Sequence, residues 1–207
     1  MSGSYIPIIK ILFPKAKIVL DRFHIVQHMN RALNKTRIQI MKPFPKNSLE
    51  YRALKYYWKL IQKDSRKLSL NTFYSRTFRE TLTPRECLNR IFNLIPELKA
   101  YYDLYQLLLF HLQEKNTEHF FGLIKEALPV LNHTFKTALN TFIRYKTYIT
   151  NAIELPYSNA KLEATNKLIK DIKRNAFGYR NFENFKQRIY IALNITKEKT
   201  KFVSSRA

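Results

Sequence analysis

The sequence predicts a mainly α-helical protein with a short β remnant. Its 207 residues include only three glycines but 15 phenylalanines and 13 tyrosines, a composition that disfavours turn-rich β-sandwiches and barrels. Apolar residues recur at helical spacing along most of the chain, and single prolines separate the segments. Hydrophobic residues make up 45% of the chain, enough for a core, which excludes general disorder.

The first 42 residues predict a short element, a strand and a long helix. Residues 5–12 are apolar and are followed by a proline, which is typical of a short helix or strand. Lys17–Leu20 is a short β-branched run, and we expect a buried strand there. From Arg22 to about Lys42, apolar residues recur at helical spacing until prolines end the helix.

Residues 43–150 predict a series of helices. Helical spacing runs from Tyr51 to Lys63, although the dense aromatic residues at Tyr56–Ile61 also allow a strand. Thr83 is followed by a proline and then by a glutamate three residues on, which predicts a capping box. Further helices are expected from Pro96, over Glu118–Leu128 and over Thr134–Thr150.

The carboxyl-terminal segment has the most regular helical pattern. Ser158 or Asn159 can cap a helix whose apolar stripe repeats at helical spacing. Gly178 provides a left-handed stop, and a final helix follows it. The apolar positions of the two helices are Leu162, Ile169, Ile172 and Ala176, then Phe182, Phe185, Ile189 and Leu193.

The charge of the chain indicates a polyanionic partner, and DNA or RNA comes first. Lys and Arg number 37 against 15 Asp and Glu, which gives a net charge of +22. The alternative is a basic protein whose charge only aids solubility. Basic segments at 10–79 and 161–188 flank a neutral to acidic middle, and we do not expect that middle to face DNA.

Several classes of protein are excluded. The single cysteine excludes a disulfide framework and a cysteine-rich zinc site. The chain has no glycine-rich phosphate loop, no nucleophile elbow and no H-E-x-x-H zinc-helix motif. It shows no signal peptide and no apolar run of the roughly 18 residues that span a membrane. We therefore expect a cytoplasmic protein without a membrane partner.

Asp21 and His24 form the first candidate site. Asp21 directly follows the predicted strand, and α/β enzymes place catalytic groups at the carboxyl ends of strands. His24, three residues later, can orient a nearby carboxylate. The alternative is that Asp21 caps the next helix and His24 is a partly buried core residue.

Glu163 is the second candidate. Glu163, Asn166, Lys167 and Lys170 share one helix face, away from the apolar stripe. A lone carboxylate among lysines is typical of a divalent-metal ligand beside a phosphate backbone. The alternative is a solvated face with an ordinary Glu163–Lys167 pair.

Basic residues interleaved with aromatic residues form the third candidate, from Lys170 to Arg180. Such a segment can bind phosphates and stack on bases, although Phe177 and Tyr179 can equally close the core. The predicted DNA-binding residues are Lys161, Lys167, Lys170, Lys173, Arg174 and Arg180.

Three stretches carry a resemblance to a known family: FPKAKIVLDRFHIVQHMNRALNKTR, YWKL and SNAKLEATNKLIKDIKRNAFGYRNFENF. They resemble the ISL-three insertion-sequence transposases. The resemblance implies a DDE enzyme with a ribonuclease-H-like fold, in which three carboxylates bind two Mg²⁺ or Mn²⁺ ions. It implies that Glu163 is the third acid, that Asp21 and His24 form a D-x-x-H signature, and that Asp21 and Glu163 are metal ligands.

The resemblance also implies three parts: a remnant of the ribonuclease-H-like core at 1–42, a helical insertion at 43–150, and the catalytic helix with a basic tail at 151–207. The family's zinc-binding part, helix-turn-helix and first two aspartates have no counterpart here; an alternative alignment makes Asp21 the second acid. We therefore expect a truncated carboxyl-terminal part of a bacterial, nucleoid-associated transposase, inactive alone. Its partners would be DNA, and a second copy or a full-length transposase. The alternative is a non-catalytic nucleic-acid-binding or transposition-regulating protein.

Overall fold

A computed structural model describes residues 5–157 and 160–194 of the chain. These residues form helices, one short hairpin and one 3₁₀ turn (Ser65–Lys67), and they separate into two compact units that divide after Tyr157. The helices of the first unit are α1 (Tyr5–Leu12), α2 (Arg22–Met41), α3 (Leu49–Tyr56), α4 (Trp58–Ile61), α5 (Pro84–Leu94), α6 (Pro96–Gln113), α7 (Thr117–Ala127), α8 (His133–Arg144) and α9 (Lys146–Glu154). Its strands are β1 (Phe73–Ser75) and β2 (Glu80–Leu82), and the second unit has α10 (Ala160–Asn175) and α11 (Phe182–Ala192).

The mainly helical prediction is confirmed. None of the described helices is long and apolar enough to cross a membrane. The predicted division into a core remnant at 1–42, a helical insertion at 43–150 and a catalytic helix with a basic tail at 151–207 stays a prediction.

Helix α2 lies at the centre of the first unit, in contact with α3, α6, α8 and α9. Its side chains at Ile25, Met29 and Leu33 are fully buried, and their spacing of four residues places them on one face. Arg37, one turn further on, is also buried and donates a hydrogen bond to the Leu54 carbonyl at the end of α3. Burial lowers the pKa of the Arg37 guanidinium, and its Nε donates a hydrogen bond to the Asn34 side chain over 2.9 Å.

Tyr105 connects three helices through its hydroxyl group. The hydroxyl lies 2.5 Å from the Asn30 side-chain oxygen on α2 and 2.9 Å from the Gln62 carbonyl at the end of α4. The Gln62 amide closes the set by donating to the Asn30 carbonyl over 3.0 Å. Tyr105 itself is buried, and this burial raises the pKa of its hydroxyl.

The capping box predicted at Thr83 is confirmed. The Thr83 hydroxyl accepts from the Glu86 backbone N–H, and the Glu86 carboxylate accepts from the Thr83 N–H over 2.7 Å. Those hydrogen bonds to Thr83 hold the pKa of Glu86 below its usual value. Cys87 follows inside the core, where burial raises the pKa of its thiol to about 12.

Two segments predicted as single helices are each interrupted at a tyrosine. The segment from Tyr51 to Lys63 is helical rather than a strand, but it divides into α3 and α4 at Tyr57. Tyr57 stacks on Phe78 with ring centroids 5.9 Å apart, and its hydroxyl lies 2.6 Å from the Ser75 hydroxyl. The segment from Thr134 to Thr150 likewise divides into α8 and α9 at Tyr145.

The hairpin between β1 and β2 was not expected from the sequence. It is antiparallel, with Phe73 opposite Leu82 and Ser75 opposite Glu80. The Ser75 hydroxyl accepts from the Phe78 N–H, and the Ser75 carbonyl accepts from the Arg79 N–H over 2.7 Å. Arg79 adopts a left-handed backbone with φ of 58° to close the turn.

The strand predicted at Lys17–Leu20 is wrong. In the described part of the chain this segment has no strand beside it, so no ladder can satisfy its backbone groups. Helix α9 takes the place of a partner strand. The Leu20 N–H donates to the Tyr148 carbonyl over 3.3 Å, and the Asn151 side chain donates to the Ile18 carbonyl over 2.9 Å.

In the second unit, α10 and α11 pack against each other across a tight turn. The left-handed stop predicted at Gly178 is confirmed, with φ of 99°, and the Gly178 N–H donates to the Lys173 carbonyl over 2.9 Å. Phe177 before it is also left-handed. The predicted caps Ser158 and Asn159 lie outside the described residues.

We expect Tyr105→Phe to lower the free energy of unfolding by about 1–2 kcal/mol, because it leaves the partly buried Asn30 and Gln62 acceptors without their donor. Chemical denaturation followed by circular dichroism measures this change. Tyr74→Phe is the control, because the Tyr74 side chain is 63% exposed. Equal stability of the Tyr105→Phe variant and the wild type would contradict the connecting role of this hydroxyl.

Stability should fall as the pH drops below about 6.5. Burial, with the charges of Arg31 and Lys35, lowers the pKa of His28 below the ordinary histidine value, and its ring lies 5.4 Å from that of Phe142. The unfolded chain therefore binds a proton that the folded chain resists, so His28 contributes stability above about pH 6.5 that is lost on acidification. Thermal melts of His28→Leu should show a weaker pH dependence between about pH 5 and 7. A residual slope is expected from His111, whose pKa burial also lowers.

Candidate nucleic-acid interface

Helix α10 presents a row of exposed cations. Lys167, Lys170 and Lys173 are each exposed and three residues apart, so they follow one side of the helix. Arg174 is exposed as well and pairs with Asp171 at 3.1 Å. Lys173 and Arg174 lie in the last turn, where positive charge suits the helix dipole. The predicted residue Lys161 belongs to the same helix, but its side chain lies outside the described part.

Glu163 is exposed in the first turn of α10. No residue in the described ranges forms an ion pair with its carboxylate, so the Glu163–Lys167 pair of the alternative interpretation is not formed there. Both carboxylate oxygens are thus available to a ligand from solution. Within the described residues, no group of three or more His, Cys, Asp or Glu side chains is arranged to hold a metal ion.

The turn between α10 and α11 separates the roles of its two aromatic residues. Phe177 is fully exposed, so it does not close the core and its ring faces are free for stacking. Tyr179 instead packs on Phe185, with ring centroids 4.9 Å apart. Arg180 is exposed beside them, directly before the Asn181 cap of α11. Among the residues that the structure describes, the turn therefore combines an aromatic ring and a cation that have no partner.

Asp21 is the N-cap of α2, as the alternative interpretation expected. Its Oδ1 accepts from the Phe23 N–H over 2.9 Å. Its Oδ2 is buried and has no hydrogen-bond partner in the described part of the chain. One oxygen therefore shapes the helix start, and the other is left for a further partner. A catalytic role for Asp21 stays a prediction.

Arg22 fixes this helix start, and sequence reasoning missed it. Its Nε donates to the Ala152 carbonyl over 2.6 Å, and a terminal nitrogen donates to the Leu155 carbonyl over 3.1 Å. Both acceptors belong to the end of α9, where carbonyls have no partner within the helix. No sequence signal could have found this contact, because the partners lie about 130 residues away in the chain.

His24 is exposed, so it is not the core residue of the alternative interpretation. Its ring lies 5.7 Å from that of Phe23, which is also exposed. Both side chains are accessible within one turn of Asp21.

A second basic surface lies around the hairpin of the first unit. Arg76 and Arg79 are exposed on the turn between β1 and β2. On the neighbouring helices, Lys55 lies over the Tyr56 ring at 5.6 Å and Lys59 lies over the adjacent Trp58 ring at the same distance. The sequence showed that this segment is basic, but not that a hairpin presents its arginines.

The carboxylates of Asp21 and Glu163 suit divalent ions in their ligand type. Asp21 and Glu163 each keep an oxygen without a partner among the described residues, and carboxylate oxygen is the ligand type that Mg²⁺ and Mn²⁺ prefer.

Comparison with known proteins identifies the family of the chain. The model of the DDE transposases of the ISL-three type, described as Transposase, matches residues 1–189. A Lactococcus lactis subsp. lactis protein named ATP-dependent protease is 38% identical over 110 residues, which cover 53% of this chain and 35% of that protein. The matched part is thus about a third of the length of that relative. No solved structure matches. Because the family model extends over most of the sequence, the chain belongs to the transposase family of the ISL-three insertion sequences.

Proposed function

We propose that this chain acts in DNA transposition and binds DNA phosphates through the basic face of α10 and the turn that follows it. The observation that carries the proposal is the row of exposed lysines at 167, 170 and 173, in a transposase-family chain with a net charge of +22. Such a row neutralises phosphates and releases counterions without reading base edges. Binding is therefore independent of sequence and sensitive to salt.

The exposed Phe177 ring adds a second contact at the end of this row. A ring with free faces stacks on an unpaired base, and Arg180 supplies a charge for the adjoining phosphate. We propose that this turn favours DNA in which bases are unpaired, as they are at the ends of a mobile element during strand exchange.

We further propose that Glu163 and Asp21 are each ligands for Mg²⁺ or Mn²⁺, and that the ribonuclease-H-like assignment applies to the parts of the chain that carry them. The bound metal would activate a water molecule or a 3′-hydroxyl for attack on a phosphodiester bond. The support from the chain is the free Oδ2 of Asp21 and the unpaired carboxylate of Glu163 within the described residues. Arg22 holds Asp21 in place, and the exposed His24 ring can orient a carboxylate or a water molecule beside it.

A non-catalytic, DNA-binding role in transposition is the second candidate. The observation in its favour is that Asp21 already serves as the N-cap of α2. In this role the chain would act with a second copy or with another transposase. The protease activity in the name of the Lactococcus lactis relative is not carried over, because the match covers only 35% of that protein.

Replacing Lys170 and Lys173 by Gln should weaken duplex DNA binding. We expect the slope of log affinity against log salt to become less steep by about two, roughly one unit for each phosphate that is no longer neutralised. Fluorescence anisotropy with unrelated duplexes at several salt concentrations measures the slope. The matched control is Lys125→Gln with Lys136→Gln, which removes the same charge from exposed positions of the neutral middle. Equal reductions in the two double variants would show that net charge alone drives binding.

Glu163→Gln should weaken Mn²⁺ binding by about tenfold or more, the effect of removing a charged oxygen ligand. Isothermal titration calorimetry with MnCl₂ measures this without requiring activity. Glu183→Gln serves as control, because Glu183 is an exposed glutamate of the same unit that pairs with Lys186. Any cleavage of element-end DNA should disappear only in the Glu163→Gln variant. Unchanged Mn²⁺ affinity in this variant would exclude Glu163 as a ligand.

A further inference from the structure

A cavity of about 330 Å³ lies between the hairpin and α5, inside the first unit. We call it the hairpin cavity. Its volume is at the small end of the range for small-molecule sites, which begins at roughly 300 Å³. The hairpin contributes Thr77, Phe78 and Arg79 to its walls, and α5 contributes Arg90, Asn93 and Leu94.

Arg79 is the first sign of a ligand in this cavity. In the described part of the chain its guanidinium has neither a hydrogen bond nor an ion pair, although it lines the cavity. Its backbone is left-handed, with φ of 58°, a conformation that a residue with a side chain rarely adopts. Glycine would adopt this backbone conformation without strain, so the turn itself does not require an arginine at this position.

Thr77 contributes a second polar group to the cavity wall. This residue is only 7% exposed and lines the same cavity. Among residues 5–157 and 160–194 its hydroxyl finds no hydrogen-bond partner. The hydroxyl is not one of the buried, unpartnered polar atoms of the described residues, so it is accessible and can hydrogen-bond to a group that enters the cavity.

The remaining walls are aromatic and aliphatic side chains together with Asn93 and one charge pair. Phe78 lies against the Tyr57 ring at 5.9 Å, which holds it in place, and Leu94 adds aliphatic surface. Arg90 is held by Glu80 at 2.8 Å, so its charge is largely balanced. Among the described residues, the walls of the hairpin cavity thus combine the unpaired Arg79 cation and the free Thr77 hydroxyl with an apolar side.

We propose that the hairpin cavity binds one nucleoside phosphate unit, with Arg79 and Thr77 on the phosphate and the base against the Phe78 side. An unpaired arginine near an aromatic side chain suits a ligand that has an anionic end and a flat apolar body. The choice of a nucleotide as this ligand rests on the proposed function. The same chemistry occurs in a free mononucleotide and in one nucleotide of a DNA strand.

The test uses the full chain with two probes, the mononucleotide dAMP and a labelled single-stranded oligonucleotide. Arg79→Gly removes the guanidinium at a position where glycine relieves the backbone, and Thr77→Val removes only the hydroxyl. Arg76→Gly is the matched control, because it removes the same charge from an exposed position of the same turn outside the cavity wall. Thermal melts confirm that each variant is folded.

Arg79→Gly should weaken binding about tenfold, the effect of removing charged hydrogen bonds, and Thr77→Val should weaken it by a smaller factor. Arg76→Gly should leave binding near the wild-type value. Weaker binding of both probes identifies a site for free nucleotides, and weaker binding of the oligonucleotide alone identifies a site for one nucleotide of a strand.

The proposal is overturned if Arg79→Gly and Thr77→Val bind both probes like the wild type, or if Arg76→Gly loses as much affinity as Arg79→Gly. It is also overturned if the wild type binds duplex DNA but neither probe. Each of these results leaves the proposed function intact, because that function depends on the Lys170 and Lys173 variants. If those variants bind DNA normally while Arg79→Gly loses affinity, the α10 assignment fails and the hairpin cavity stands.

Discussion

The burial of α2 is the constraint on which the first unit depends. Four helices pack around it, and each fully buried side chain at Ile25, Met29 and Leu33 is worth about 1.5–3 kcal/mol of transfer free energy. Burial of this face also fixes the positions of the polar side chains on and around α2. Its first turn, with Asp21 and Arg22, is fixed against the end of α9, so the acidic candidate belongs to the central element of the unit. The Tyr105 hydroxyl donates to Asn30 of α2, and Arg37, itself a residue of α2, donates to the Leu54 carbonyl.

Those parts of the fold that depend on local chemistry could be predicted from the sequence. The capping box at Thr83 and the left-handed stop at Gly178 each need only a few neighbouring residues, and both were found. The strand at Lys17–Leu20 was wrong because β-branched residues favour an extended backbone, but a strand also needs a partner with free backbone groups. The break at Tyr57 arises because its ring stacks on Phe78 of the hairpin, a contact that no local pattern reveals.

In the candidate site too, the features that depend on neighbouring residues were predictable and those that depend on distant elements were not. Helical spacing predicted that Lys167 and Lys170 share one face of α10, and both are exposed there, while their role in DNA binding stays a prediction. The sequence singled out Asp21 because it follows a predicted strand, but an aspartate before a helix is also a common helix cap. Only the structure shows that its Oδ1 caps the helix, whereas its Oδ2 has no partner among the described residues. Arg22 and Arg79 were missed, since the role of each depends on carbonyls or walls contributed by other elements.

Cys87 gives the first unit a built-in reporter of its own opening. The chain has this one cysteine, fully buried, with a thiol pKa raised to about 12. Alkylating reagents react with the thiolate. The folded core therefore protects Cys87 in two ways: it keeps reagents from reaching the sulfur, and it keeps the thiol protonated. The rate of labelling then measures how often α5 leaves the core, on a molecule that needs no engineered probe. The same protection keeps the sulfur away from oxidants and from intermolecular disulfides while the unit is folded.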